Sequence, residues 1–233
     1  MKKKVLLLAV SCREGGLCPG GLDLDNPENW IRIVKDDGRS GAVQGFEIDF
    51  AEPLDIIEFD GRPMPQGKQQ ENWVIDNNSC KKLGKGRLKN GNGSDKEILD
   101  WAYNKYGYHG YWNNYKSFLN EEEFDNINTP SESILKVSCI RIYTDDNDKA
   151  KIDFDWEGAR FRLKWVSMTD QEFYDKIKNG NEVEFEQAYI VISIPKETGF
   201  YANEQRAYKF VSKIFDISPK KSQHTDVDDD LPF

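Results

Sequence analysis

The sequence has few histidines and cysteines and no long apolar run, and each scarcity excludes a class of protein. Its two histidines leave few partners for an imidazole metal site or for an activated cysteine nucleophile. Its cysteines (Cys12, Cys18, Cys80 and Cys139) show no two-residue metal-ligand spacing, so we expect reduced, buried thiols in a cytoplasmic protein. The longest apolar run, Val5–Val10, is far below the ~20 residues of a membrane-spanning helix, and no membrane association is predicted.

Positive charge is also scarce relative to negative charge. The formal net charge is −9, of which residues 218–233 contribute −2, leaving −7 on the body of the chain. Sequence-independent DNA binding usually needs a positive surface. Any contact with nucleic acid is therefore predicted to be confined to a local patch.

What the chain has in quantity is apolar, β-branched segments in two sets. Within the second set, the stretch from Phe161 to Trp165 alternates as a half-buried strand does. Two helices are predicted from capping boxes, one starting at Ser94 and ending near Gly107, the other starting at Thr169. The predicted strands are Val5–Val10, 30–34, 54–59 and 73–75 in the first set, and 134–143, 151–154, 159–166, 183–194 and 208–217 in the second.

Short strands in two consecutive sets predict a mainly β fold of small barrels or a sandwich. We predict four regions: a first β-rich module over residues 1–78, a basic and aromatic insertion with one helix over 79–123, a second β-rich module over 124–217, and a flexible acidic tail over 218–233. The insertion differs from its flanks in being rich in glycine, asparagine and lysine.

Several short segments along the chain form a second pattern: residues 6–11, the glycine-rich stretch 15–21, residues 30–32, 53–57 and 70–73, and the late segments 188–193 and 208–211. Together they resemble bacterial proteins described as dual OB-containing domains. The resemblance implies two OB-like barrels in tandem and a link to nucleic acids, without an established chemistry. It carries over no functional residue, and the basic insertion departs from the family pattern.

The insertion is the predicted nucleic-acid surface. It combines cations that can follow phosphates with flat rings on which bases can stack, at about 1–3 kcal/mol per base. The alternative is that the rings pack a small helical subdomain, which is the expectation for Trp101 and Tyr103 at helical spacing. The predicted nucleic-acid-binding residues are Lys81, Lys82, Lys85, Arg87, Lys89, Tyr108, Tyr111 and Trp112.

The sequence finishes with an acidic run followed by Leu-Pro-Phe. This tip resembles the C-terminal tip of bacterial single-stranded-DNA-binding proteins, which docks on replication, recombination and repair enzymes. The resemblance implies such partners here, with the Phe233 ring and carboxylate as the anchor, whereas a charge run alone would predict a solvated tail. The predicted partner-binding residues are Asp226, Asp228, Asp229, Asp230, Leu231, Pro232 and Phe233.

No catalytic constellation is evident, and we expect neither a cofactor nor a bound metal. The segment Asp145-Asp146-Asn147-Asp148 is predicted to be a hairpin turn rather than a metal site. Three functions remain open. The first is a non-enzymatic OB-fold protein of DNA metabolism that binds single-stranded nucleic acid and recruits repair enzymes through its tip. The second is a mobile-element or defence-associated adaptor or mimic that binds no DNA, and the third is a metal-dependent nucleic-acid enzyme.

Overall fold

The structure of the protein, a computed structural model, describes residues 1–13, 16–26, 29–36, 41–88, 93–107, 116–156, 162–198 and 205–219. Within these ranges the chain forms thirteen β-strands and four helices. None of the helices in the described ranges combines the length and apolar character needed to cross a membrane. Strands dominate the described chain, as the sequence predicts.

The first barrel is a ring of five strands with a sixth strand on its outside. Its elements are β1 (Lys2–Arg13), β2 (Gly16–Asp23), β3 (Trp30–Val34), α1 (Gly45–Ile48), β4 (Asp55–Pro63), β5 (Asn72–Ile75) and β6 (Lys81–Lys85). The hydrogen-bonded order is β1-β2-β3-β5-β4, and the pairing of β1 with β4 closes the ring. Strands β3 and β5 are parallel, and β6 joins the outer side of β4.

A helix and two small elements follow: α2 (Asp95–Tyr106), β7 (Phe118–Asn120) and α3 (Glu121–Asp125). The N-terminus of α2 is capped as predicted, because the Ser94 side chain accepts a hydrogen bond from the Glu97 amide at 3.3 Å. The return bond of the predicted capping box differs, since the Glu97 carboxylate accepts from the amide of Gly93 at 3.1 Å. Gly107 ends the helix, as predicted, and its amide donates to Tyr103 O at 2.7 Å.

The second barrel repeats the topology of the first. Its elements are β8 (Glu132–Thr144), β9 (Ala150–Trp156), β10 (Arg162–Met168), α4 (Gln171–Ile177), β11 (Val183–Ser193), β12 (Arg206–Tyr208) and β13 (Phe210–Asp216). The closed order β8-β9-β10-β13-β11 matches that of the first ring, with a parallel pair again between the third and fifth strands. In both barrels a helix connects the third and fourth strands. Strand β12 pairs with β7 outside the ring. The prediction of tandem OB-like barrels is confirmed.

Helix α4 starts one residue later than the sequence predicted. Asp170, rather than Thr169, is the capping residue, and its carboxylate accepts from the Glu172 amide at 3.1 Å. The other carboxylate oxygen accepts from the amide of Ile214 at 2.8 Å, so this cap also fastens α4 to β13. The Thr169 hydroxyl lies 3.4 Å from Val211 O instead.

Three apolar cores hold the molecule together, one inside each barrel and one between them. Strand β1 serves two of these cores, because alternate side chains point to opposite faces of a strand. Val5 and Leu7 fill the first barrel, while Leu6 and Leu8 face the core between the barrels. Strand β11 is used in the same way by the second barrel, with Tyr189 and Val191 in the shared core and Ala188, Ile190 and Ile192 inside the ring. Unbroken apolar sequence at β1 and β11 thus reflects burial on both faces.

No disulfide joins these four cysteines, as predicted, but the expectation that they are buried is wrong. Cys12 and Cys139 are exposed, and Cys18 and Cys80 are half-buried. Cys139 has a φ of +50° and lies where the register of β8 against β9 slips, an irregularity that leaves it on the outside. Burial and the nearby Glu47 carboxylate raise the pKa of the Cys80 thiol to about 11, which disfavours its reactive thiolate.

Candidate nucleic-acid interface

The outer face of β9 and β10 presents a tryptophan to solvent. The register of the two strands slips by one residue between Leu163 and Val166, so Lys164 and Trp165 together face Asp153, which is a β-bulge. Trp165 has a φ of +57°, and 68% of its surface is exposed. A large ring displayed in this way is available for stacking.

A buried carboxylate fixes the bulge. Asp153 Oδ1 accepts hydrogen bonds from the Trp165 amide at 2.9 Å and from the Tyr143 hydroxyl at 3.1 Å. Burial and the Asp153 charge raise the pKa of Tyr143 above its ordinary range, so its hydroxyl stays a donor. The Arg141 guanidinium lies 5.1 Å from the centre of the Tyr143 ring. Asp153 therefore fixes the backbone at Trp165 and is itself held by the Tyr143 hydroxyl.

A cleft of about 910 Å³ lies over this face. It is within the usual size range of ligand pockets. The β8–β9 turn and the residues just before β13 form its edges, the two loop regions that flank the ligand face of an OB fold. Its lining includes the aromatic residues Tyr143, Trp165, Tyr208 and Phe210 and the polar residues Ser117, Asp145, Asp146, Asn147, Lys149, Lys151 and Ser167.

Cations and acids are mixed along the cleft. Lys151 Nζ lies 3.2 Å from Ser167 Oγ and 3.7 Å from Asp145. Burial opposes ionisation of Asp145, but hydrogen bonds from the amides of Lys149 and Asn147 outweigh it and lower the pKa of the carboxyl. The exposed Lys149 forms no ion pair with any described residue, so its ammonium group is available to a phosphate.

The acidic segment at one edge of the cleft is the predicted hairpin turn. The Asp145 amide donates to Lys149 O at 2.9 Å, and the Asp145 side chain accepts from the amides of Asn147 and Lys149. Asp148 takes a φ of +57°, a conformation that aspartate tolerates in turns. Among the described residues, no group of three or more histidine, cysteine, aspartate or glutamate side chains is arranged to hold a metal ion.

The equivalent face of the first barrel is closed. Arg32 on β3 points out of the barrel, and its guanidinium lies 3.1 Å from Ser131 Oγ and 3.2 Å from Glu132 Oε1 of the second barrel. Gly20 on β2 makes room for this contact, since a Cβ there would lie 2.3 Å from Glu132 Oε2. Burial raises the pKa of Glu132 to about 7, with Arg32 opposing the shift and Glu71 adding to it. This face is an interface between the barrels.

Three of the predicted nucleic-acid-binding lysines lie on β6, where carboxylates of the first barrel already neutralise them. Lys81 Nζ is 2.7 Å from Glu58, Lys82 Nζ is 2.6 Å from Asp55, and Lys85 Nζ is 3.4 Å from Asp55. Burial opposes ionisation of Asp55, but Lys82 and a backbone amide outweigh it and lower its pKa. The structure brings these lysines together along one strand, and their role in binding stays a prediction.

The remaining predicted site residues lie elsewhere. Arg87 is exposed and lines a separate cleft of about 760 Å³ together with Trp101 of α2. Trp101 and Tyr103 pack against the core between the barrels, as predicted. Lys89, Tyr108, Tyr111, Trp112 and the tip residues Asp226, Asp228, Asp229, Asp230, Leu231, Pro232 and Phe233 lie outside the described residues.

Sequence reasoning missed Trp165, because it treated residues 161–165 as one uninterrupted alternation that places the ring on the buried face. That expectation is wrong, since the bulge reverses the phase after Leu163. A signal was available in the sequence. Leu163 is apolar at an odd position, whereas the next buried residues, Val166 and Met168, occupy even positions. Such a change of phase within a strand indicates a bulge.

Two barrels with the same strand order, a parallel pair between third and fifth strands, and one open face over the second and third strands define a tandem OB-fold protein. A family model described as the dual OB-containing domain matches residues 3–214. The chain belongs to this family. Comparison with curated proteins gave no significant match.

Proposed function

We propose that the protein binds single-stranded nucleic acid on the open β9–β10 face of the second barrel. The observation that carries the proposal is the displayed ring of Trp165, 68% exposed and fixed by a bulge in the middle of that face. Stacking on such a ring is tolerant of sequence and contributes about 1–3 kcal/mol per base. Tyr143, Tyr208 and Phe210 along the same cleft would extend the stacking surface.

The finer part of the proposal is a non-enzymatic role in DNA metabolism in the cytoplasm. The segment from Asp226 to Phe233 would recruit replication or repair enzymes, with its apolar end in a pocket and its aspartates at a basic rim. The support for this part is the sequence of the tip, which joins acidic and apolar residues over eight positions. The second barrel would then hold the strand while the tip holds the enzyme.

A second candidate is a protein mimic that engages repair enzymes without binding nucleic acid. It is favoured by one specific observation, the acidic character of the molecule. The net charge is −9, and Asp145 and Asp146 line the very cleft proposed for the strand. Negatively charged carboxylates repel the phosphates of a nucleic acid and weaken its binding. A measured absence of nucleic-acid binding would therefore support this candidate.

The test is a fluorescence anisotropy titration of the full chain with labelled single-stranded and double-stranded oligonucleotides, with and without magnesium. We expect saturable binding to single strands, weaker binding to duplex, and no cleavage in either condition. Trp165→Ala is expected to weaken single-strand binding by about 5- to 150-fold, the equivalent of losing one stacked base. Trp165→Phe keeps a ring and is expected to retain most of the affinity.

The matched control is Tyr174→Ala, because Tyr174 is an exposed aromatic residue of the same barrel that lies on α4. It should bind as the parent does. Equal affinity of the parent and Trp165→Ala would show that the face is not the site. Failure of the parent to bind any single strand would leave the mimic as the better account.

A further inference from the structure

The cleft of about 760 Å³ beside helix α2 lies between the first barrel and the segment that follows β6. Its lining is mainly apolar. It combines two buried side chains, Leu6 and Ile98, with the half-buried side chains of Leu24, Ile56 and Trp101. Apolar side chains that stay partly in water around a concave surface favour an apolar ligand.

The backbone at Gly86 lies directly against this lining. Its amide donates to Leu54 O at 2.8 Å, and a Cβ at Gly86 would lie 2.8 Å from Leu6 Cδ1. The next residue, Arg87, is exposed and lines the same cleft. A positive charge therefore lies beside the apolar side chains.

The two acids among the described lining residues already have partners within the chain. Burial opposes ionisation of Asp100, but bonds from Lys96 Nζ at 2.7 Å and from the Tyr189 hydroxyl outweigh it and lower its pKa. The Glu97 carboxylate accepts from a main-chain amide at 3.1 Å. Arg87, in contrast, forms no ion pair with any described residue. The cleft thus fits an apolar segment that carries acids beside it.

The last strand of the second barrel ends close to this cleft. Tyr189 of β11 bonds to Asp100 in the lining and is paired with Phe215 of β13. Two residues further on, Ile217 packs against the same core between the barrels as Trp101 of the lining. The chain therefore leaves the second barrel beside the cleft.

The sequence that follows has the complementary chemistry. Four aspartates, at positions 226, 228, 229 and 230, precede Leu231, Pro232 and Phe233. As a random coil, the 14 residues 220–233 span roughly 20 Å on average and at most ~45 Å. Because this segment is tethered, its local concentration near the cleft is on the order of millimolar. Reach, charge and apolar character all match the cleft.

We propose that this cleft binds the segment 226–233 of the same chain, with the Leu231 and Phe233 side chains on the apolar lining and the aspartates at Arg87. A segment docked there is hidden from other proteins. Docking therefore regulates the proposed recruitment, since an enzyme must compete with the cleft for the tip. The docking itself rests on neither recruitment nor strand binding, and it can be measured with this chain alone.

The first experiment looks for the docked ring in the full chain by NMR. The Ile56 methyl signal is identified by its loss in Ile56→Val, and the Phe233 ring signals by their loss in Phe233→Leu. We expect a nuclear Overhauser contact between the two, of equal strength at protein concentrations about tenfold apart, because docking within one chain does not depend on concentration. The Ile177 methyl, buried in the second barrel, is the internal control and should show no contact with Phe233.

The second experiment measures the affinity of the segment. A peptide of residues 220–233 is titrated into the full chain carrying Leu231→Ala and Phe233→Ala, so that the chain's own segment does not compete. We expect the Ile56 methyl signal to shift saturably, with a Kd below about 1 mM. A peptide with Phe233→Ala should bind about 10- to 150-fold more weakly, the effect of losing one buried ring.

Charge exchange tests the contact with Arg87. Arg87→Glu should weaken binding of the peptide about three- to tenfold. A peptide with lysine in place of the aspartates at positions 228, 229 and 230 should bind this variant better than the unchanged peptide does. The matched control is Arg62→Glu, because Arg62 is an exposed arginine of the same barrel, and it should leave the affinity unchanged. Both arginines are exposed, so neither substitution should disturb the fold.

Absence of the contact between Ile56 and Phe233, or of peptide binding, would overturn the proposal. A contact that strengthens with protein concentration would overturn it too, because the occupant would then be a second copy of the chain. Equal binding of the Phe233→Ala peptide would show that the ring is not the anchor, which also contradicts the proposal. Docking without capture of any repair enzyme and without strand binding would uphold this inference and refute only the proposed function.

Discussion

The third strand of each barrel carries a tryptophan that points out of the barrel, and the two differ completely in environment. Trp30 on β3 is 2% exposed, and Trp165 on β10 is 68% exposed. The strand order around them is the same in both rings. What differs is the surroundings, because the second barrel packs on the face of the first while its own equivalent face stays open. Shared topology therefore does not determine which barrel can bind a ligand on this face.

Small differences in sequence produce this asymmetry. In the first barrel, Gly20 leaves space for the Glu132 carboxylate, and Arg32 supplies the opposite charge. In the second barrel, the extra residue in β10 turns Trp165 outward, and its ring is exposed on the face. One face is shaped to receive a neighbouring barrel and the other to present a ring.

The strongest test of this comparison removes each ring in turn. Trp30→Ala should lower the free energy of unfolding by about 3–5 kcal/mol, because it opens a cavity in the core between the barrels. Trp165→Ala should change it by less than about 0.5 kcal/mol, as for other exposed side chains. Urea denaturation followed by circular dichroism measures both. Similar losses in the two variants would mean that the β9–β10 face is also packed against something.

The buried arginine gives the next largest effect. Arg32→Ala should lower the free energy of unfolding by about 3–5 kcal/mol, because it leaves Glu71 and Glu132 buried without their cation. The matched control is Arg62→Ala, whose guanidinium lies 2.6 Å from Asp36 on the surface. That exposed pair should contribute at most about 1 kcal/mol. A comparable loss of unfolding free energy in Arg62→Ala would contradict a special role for Arg32 at the interface between the barrels.

Glu132 makes the interface between the barrels sensitive to pH. Its pKa is raised from 4.5 to about 7 by burial, with Arg32 lowering and Glu71 raising it. A raised pKa means that the folded state holds the proton more tightly. The stability that the bound proton of Glu132 gives the folded state is therefore complete below pH 4.5 and is lost as the pH rises through 7.

The corresponding prediction is that the parent loses up to about 3 kcal/mol of unfolding free energy between pH 5 and 8, relative to Glu132→Gln. The variant stays neutral at every pH and should show a flatter profile. Urea denaturation at pH 5, 6.5 and 8 provides the measurement. Glu182→Gln serves as the control, because the pKa of Glu182 is lowered by its bond to Arg141 and its titration lies below this range.

The smallest expected effect concerns which lysines contact the phosphates of a bound single strand. Replacing Lys149 and Lys164 with alanine should reduce the salt slope of single-strand binding by about 1.4, or about 0.7 per lost contact. Replacing Lys81 and Lys82 should reduce it less, because carboxylates already bind those ammonium groups. The slope is read from binding at several salt concentrations. A larger reduction for the β6 pair would locate the strand on the insertion predicted from the sequence.

The sequence was sufficient for the local features and insufficient for the non-local ones. The apolar segments at β1, β3 and β11 and the cap at Ser94 are visible in consecutive residues, so strands and a helix could be predicted. The contact between Arg32 and Ser131 joins residues 99 positions apart, and no local pattern encodes it. The turn at Asp145 was predicted, but the aromatic cleft beside it was not, because the cleft depends on how strands from different parts of the chain meet.

Strand β1 has one further consequence for how the molecule comes apart. Its Val5 and Leu7 side chains belong to the core of the first barrel, and its Leu6 and Leu8 side chains belong to the core shared with the second. Unfolding either barrel alone would remove the core that packs on one face of this strand and expose large apolar side chains to water. The two barrels are therefore one cooperative folding unit, and cutting the chain between them would yield two aggregation-prone halves rather than two independent modules.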